Sequence, residues 1–257
     1  MLKIEALNAY SDNYIWLLTT NEGLVVVDPG DSQPVEDYLG KYNLEISDIL
    51  ITHHHFDHTG GVEKLDVNSS LNVYGPADSI FTGINKELKE GDEINVIGIN
   101  FSIIEIPGHT LDHIAYYSEN NGQPILFCGD TLFAGGCGRV FEGTYDQMYE
   151  SLNKLKNLPA NTTVYCGHEY TLSNLKFALE VDEKNMDLKD RYNHCVNLRK
   201  DNLATVPSSL SIELETNPFL RSHDKSIQNN IMQKLNLKRL PNDKEIFKAI
   251  REWKDNA

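Results

Sequence analysis

The segment Thr52-His53-His54-His55-Phe56-Asp57-His58 places four of the chain's nine histidines and one carboxylate within six consecutive residues. Imidazole nitrogens and carboxylate oxygens are the donors that borderline divalent metals accept, and neutral histidine is their commonest protein ligand. Packing has no use for such a density of polar rings, so the segment points to a metal site. It follows an apolar stretch, residues 48–52, so His53 and His55 face the same way on extended backbone and His54 faces the opposite way. A turn after His55 brings Asp57 and His58 to a second position beside the first, which divides the segment between two ions. A chance polar loop or a tag is the competing reading. The internal placement, the interruption by Phe56-Asp57 and the following Gly60-Gly61 weigh against it. Open positions and carboxylate donors favour a catalytic site over a closed, cysteine-rich structural one.

Three more segments carry the same chemistry: His109 in Pro107-Gly108-His109-Thr110, Asp130 in Cys128-Gly129-Asp130-Thr131, and His168 in Cys166-Gly167-His168-Glu169. Each stands at the end of an expected strand. Taken singly, each reads as a turn residue or a satisfied polar group, and only the shared placement raises them to ligands that complete two coordination shells. Asp28, in Val27-Asp28-Pro29, reads either as an Asp-Pro turn or as a group hydrogen-bonding near the metals. His113 reads equally as an orienting group or a satisfied polar residue.

The elements that must position these residues are legible in outline. Runs of β-branched and aromatic residues bounded by turn chemistry predict strands over 13–19, 24–27, 48–52, 94–106, 113–117 and 124–128, with a helix over 34–41 between them. Thr144 with Gln147 forms a capping-box pattern ahead of Met148, Leu152 and Leu155 at helical spacing, and a short strand is expected over 162–166. After Thr171 the patterns are helical, with no convincing strand. The expectation is therefore an α+β chain with a metal-binding domain over 1–170 and a helical C-terminal domain over 171–257. The last helix starts at Asn242, capped with Glu245; it places Ile246, Ile250 and Trp253 on one face and Lys248, Arg251 and Lys254 on the other.

Composition narrows the function. With 38 acidic against 23 basic side chains, a formal charge of −15, the surface repels phosphate backbones, which excludes nucleic acid as the expected partner. An anionic substrate requires metals or a local basic cluster to reverse the field. Residues 1–20 lack the basic-then-apolar pattern of a leader, and no apolar run is long enough to span a bilayer. The four cysteines show no Cys-x-x-Cys spacing. Reduced thiols in a cytoplasmic monomer are the expectation.

The motif His-x-His-x-Asp-His at 53–58, followed in order by His109, Asp130 and His168, resembles that of the metallo-β-lactamase superfamily. The resemblance implies an αββα sandwich. It implies one metal on His53, His55 and His109, another on Asp57, His58 and His168, and Asp130 bridging them. Gly129-Asp130-Thr131-Leu132-Phe133, Gly167-His168-Glu169-Tyr170-Thr171, Asn217-Pro218-Phe219-Leu220-Arg221 and the helical C-terminus extend the likeness over nearly the whole chain, to the glyoxalase II family. That family binds the glutathione part of its thioester through residues corresponding here to Arg139, Tyr170, Arg251 and Lys254. Phe141 stands where several members have a glutathione-contacting tyrosine, and Asp112 where glycine is frequent in the wider superfamily. Lys248 keeps the reading of a solvated surface charge.

The implied activity is hydrolysis of S-D-lactoylglutathione to glutathione and D-lactate, the last step of methylglyoxal detoxification. A hydroxide bridging two divalent ions, zinc ahead of iron or manganese, attacks the thioester, with Asp57 and Asp130 as catalytic ligands. An iron-dependent persulfide dioxygenase of the same superfamily is the nearest rival. The presence of Asp57, His58 and His168 argues against its single-iron site. A β-lactamase, a lactonase and a non-enzymatic metal module rank lower.

Overall fold

The computed structural model describes residues 1–66, 71–236 and 241–257. The chain divides into two compact units, residues 1–105 with 112–129 and residues 106–111 with 130–257.

The first unit begins with three antiparallel strands, β1 (Lys3–Ala9), β2 (Asn13–Thr19) and β3 (Leu24–Val27). From β3 the sheet continues in parallel through β4 (Asp48–Leu50), β5 (Asn72–Pro76) and β6 (Lys86–Leu88). Helix α1 (Ser32–Tyr42), capped by Asp31, packs Val35, Tyr38 and Leu39 against Ile15, Leu17, Leu24 and Val26, the residues that alternation places on one face. The opposite face of β2 and β3 is buried as well, which is why these strands read as continuous apolar runs rather than alternating ones. Two single-turn helices follow β4: α2 (Phe56–Thr59) and α3 (Val62–Leu65).

Four antiparallel strands complete the unit: β7 (Glu93–Val96), β8 (Ile99–Glu105), β9 (Ile114–Ser118) and β10 (Ile125–Gly129). The single strand expected over 94–106 is a hairpin. Ile97 and Gly98 both take positive φ, 47° and 79°, and Val96 pairs with Ile99 across the two-residue turn. An isoleucine in that region is sterically unfavourable, so the apolar run hides the turn and Gly98 is its only sequence signal. Tyr116 of β9 donates its hydroxyl to Ile51 O at 2.8 Å, tying this layer to the end of β4. β1, β5 and β6 go beyond the sequence expectation.

The second unit opens with a small hairpin, β11 (Leu132–Phe133) and β12 (Gly136–Cys137), followed by α4 (Tyr145–Lys156) and β13 (Thr163–Cys166). Its helices are α5 (Thr171–Val181), α6 (Met186–Lys200), α7 (Leu210–Thr216), α8 (Lys225–Lys234) and α9 (Asp243–Asp255). Both expected capping boxes form, at Thr144 and Asn242. One correction concerns β14 (Ser208–Ser209), which pairs with β13 in a region read as helices and loops; two serines carry no strand signal. The buried Glu213 accepts from Arg191, Ser208 and Gly135 N, and Asn217 donates to Phe133 O and Gly136 O. The Asn-Pro-Phe-Leu-Arg segment thus fixes the hairpin that follows Asp130.

A second correction concerns α9. Ile246 and Ile250 are buried as expected, but Arg251 is only 3% exposed and Lys254 is largely enclosed. Phe247, Ile250, Arg251 and Lys254 fall at i, i+3, i+4 and i+7, a second stripe that also faces protein. Lys248 alone keeps to the surface, 3.7 Å from Glu252.

Candidate metal centre

In the first unit Asp28 ends β3 with a positive φ of 51°, which aims its carboxylate at the start of the histidine segment. Its Oδ1 accepts from Thr52 N at 2.7 Å, and its Oδ2 accepts from Thr52 Oγ1 at 2.7 Å and lies 3.1 Å from His58 Nδ1. A carboxylate there makes His58 Nδ1 the protonated nitrogen and puts the lone pair on Nε2. The same logic runs through Thr52: having given its proton to Asp28, its hydroxyl accepts from His53 Nδ1 at 3.0 Å, so His53 also carries its lone pair on Nε2. One buried acid sets two imidazole tautomers. His53 is also stacked on His113, 4.5 Å between ring centroids, which makes His113 an orienting neighbour.

His53 Nε2 and His55 Nδ1 stand 3.2 Å apart, and His58 Nε2 stands 3.5 Å from Asp57 Oδ2. Two ligands at about 2.05 Å from a tetrahedral ion are about 3.3 Å apart, so these donors are spaced for a metal. Asn13 donates to Asp57 Oδ2 at 2.9 Å and to its carbonyl at 3.2 Å, holding the least buried of the acids. Nothing in the sequence singles out Asn13. A Cβ on Gly30 would lie 1.8 Å from Asp57 O, so that residue must be glycine for the loop to pass. His54 pairs with Asp112 at 2.9 Å, which gives the unusual aspartate at 112 a partner.

The second unit repeats the arrangement. His109 Nδ1 donates to Arg139 O at 2.8 Å, leaving the lone pair on Nε2, 3.5 Å from Asp130 Oδ2. His168 Nε2 lies 3.2 Å from the same oxygen. Asp130 therefore presents one oxygen to two ring nitrogens, the placement a bridging ligand needs. The ring of His168 stacks on Tyr170 at 4.6 Å with a 4° interplanar angle, and the ring of His109 lies 5.2 Å from exposed Phe141.

The expected basic residues gather in this unit too. Arg251 donates to Cys137 O at 2.8 Å and to Asp255 at 3.0 Å, and Arg139 Nε lies 3.2 Å from Asp255. Lys254 donates to Asn174 Oδ1. Burial, and next the charge of Arg251, bring the Lys254 ammonium down to about 8. Each unit by itself thus presents His and Asp donors at the spacing that divalent metal ligands take: His53, His55, Asp57 and His58 in the first, His109, Asp130 and His168 in the second.

Residues 11–168 match the Metallo-beta-lactamase superfamily, and the chain has that fold. Residues 169–257 match the hydroxyacylglutathione hydrolase C-terminus. Hydroxyacylglutathione hydrolases of Pseudomonas paraeruginosa and Pseudomonas putida are 49% and 48% identical to the chain, each over 99% of both sequences. Among solved structures, ETHE1 from Myxococcus xanthus matches with a TM-score of 0.64 and 25% identity over 99% of both chains. The BLEG-1 B3 metallo-β-lactamase matches with a TM-score of 0.62 and 24% identity, covering 86% of this chain and 99% of its own. Within the superfamily, the chain belongs to the hydroxyacylglutathione hydrolase family, glyoxalase II.

Proposed function

We propose that the protein hydrolyses S-(2-hydroxyacyl)glutathione thioesters, chiefly S-D-lactoylglutathione, to glutathione and a 2-hydroxy acid, as the last step of methylglyoxal detoxification. The observation that carries this reading is 49% identity over 99% of the chain to a hydroxyacylglutathione hydrolase. The donor assignment follows the family pattern: His53, His55 and His109 toward one metal, Asp57, His58 and His168 toward the other, Asp130 toward both. The Nε2 lone pairs of His53, His58 and His109 support it. Divalent ions held there, zinc by preference, supply Lewis acidity and hydroxide at neutral pH.

The chain's own groups do the rest. Asp28 and Arg139 O keep the imidazoles in the ligating tautomer, and Asn13 keeps Asp57 oriented. Arg139, Tyr170, Arg251 and Lys254 bind the glutathione part rather than the reacting carbonyl, so their contribution falls on KM more than kcat. Phe141 lines the same region without a hydroxyl. The leaving thiolate has a conjugate acid of pKa about 8.5 and departs without a dedicated proton donor. Four free, buried cysteines suit a reducing cytoplasm, and no helix among the described residues is long and apolar enough to cross a membrane. A monomer suffices for this chemistry.

The test is loss of the thioester absorbance of S-D-lactoylglutathione with metal-loaded and chelator-treated protein. Fast, chelator-sensitive hydrolysis is expected; no hydrolysis by protein carrying two metals overturns the reading.

A further inference from the structure

The second unit sets one carboxylate among its expected glutathione-binding cations. Asp255 Oδ1 lies 3.2 Å from Arg139 Nε and 3.0 Å from Arg251 Nη2, so a single oxygen engages two guanidinium groups that are distant in sequence. Local helix energetics do not account for it. Asp255 is the last residue of α9, where the partial negative charge of the helix terminus disfavours a carboxylate. The order, base at 251 and acid at 255, is also the weaker orientation for an i, i+4 pair. Arg251 meanwhile keeps a buried Nε with no hydrogen-bond partner, an unused donor on the group that Asp255 engages. Lys254, next to Asp255 in the chain, gives its proton only to a neutral amide oxygen, that of Asn174, among its hydrogen bonds here. The cluster thus has more donors than its one acid satisfies.

We propose that Asp255 is an internal counter-ion of the glutathione-carboxylate subsite: it occupies guanidinium donors that the substrate's carboxylate takes, and is displaced when that carboxylate enters. This rests on the reading of Arg139, Arg251 and Lys254 as the glutathione-binding cations. An incoming carboxylate brings two oxygens and can engage the half-exposed Arg139 guanidinium together with the donors that Asp255 holds, whereas a small, weakly coordinating anion cannot match the resident acid. Asp255 in this way makes the subsite selective for a tethered carboxylate, at the cost of part of its affinity.

Equilibrium binding of S-methylglutathione, which cannot be hydrolysed as a thioester, tests this with metal-loaded wild type, Asp255→Asn and Asp255→Glu. Asp255→Asn removes the competing charge at nearly constant shape, so binding should tighten about tenfold, with KM for S-D-lactoylglutathione falling in step and kcat moving far less. Asp255→Glu restores the charge and should bring affinity back toward wild type. If Asp255 merely braces the arginines, Asp255→Asn weakens binding instead. Weaker or unchanged binding, in protein whose melting curve shows it folded, overturns the proposal. A wild type that binds S-methylglutathione without hydrolysing the thioester would sink the functional reading and leave this one to be judged on binding alone.

Discussion

Replacing Asp28 by asparagine changes one atom and should remove metal without unfolding the protein. The amide orientation is dictated by the backbone: Thr52 N donates to Oδ1, so the amide oxygen must take that position, and the NH2 group must take the position of Oδ2. There it faces Thr52 Oγ1 and His58 Nδ1, both of which now need to accept. His58 is driven to the tautomer with its proton on Nε2, the nitrogen that should meet the metal, and the hydroxyl of Thr52 is turned toward His53 with the same effect. Losing one hydrogen bond to a charged group costs about 1.5–3 kcal/mol. At 1.4 kcal/mol per tenfold, metal affinity should fall roughly 10- to 100-fold. Competition between metal-free protein and a chromophoric chelator measures it, with melting of the metal-free protein as control for folding. An affinity within about twofold of wild type would refute the tautomer argument. Asp28→Ala is the harsher comparison, because it also strips Thr52 N of its acceptor and should lower stability as well as metal binding.

A Cβ on Gly138 would sit 1.9 Å from Asp130 O and 3.3 Å from His109 Nδ1. Since backbone cannot yield as a side chain can, Gly138→Ala should displace Asp130, costing about 1–3 kcal/mol in melting of the metal-free protein and at least one metal per chain by elemental analysis; full stoichiometry would count against the bridging role. Lys254 has its pKa brought down to about 8, so its charge is present below pH 8 and lost above it. KM for the glutathione thioester should therefore climb as pH rises from 7 to 9, and Lys254→Gln should flatten that climb; a profile unchanged by the substitution would remove Lys254 from the subsite.

What the sequence by itself determined was the chemistry. The density of His53, His55, Asp57 and His58, and the glycine-preceded His109, Asp130 and His168, marked candidate metal donors without coordinates, because residue type and place at strand ends are read locally. The two capping boxes were equally legible, since they depend on residues three apart. Tertiary structure decided what depends on neighbours far along the chain. Asp28 stood open between an Asp-Pro turn and a group hydrogen-bonding near the metals until Thr52 and His58 were brought to it, and Asn13 carried no signal until it met Asp57, 44 residues away. The hairpin at Ile97-Gly98 was hidden because strand pairing overrode isoleucine's backbone preference. Periodicity put Arg251 on the face opposite Ile246 and Ile250 and did not show its burial, because it counts residues around one helix and not the protein packed against its second stripe. Local pattern records what a residue can do; whether its tautomer, burial and counter-ion let it do so is fixed only by long-range packing.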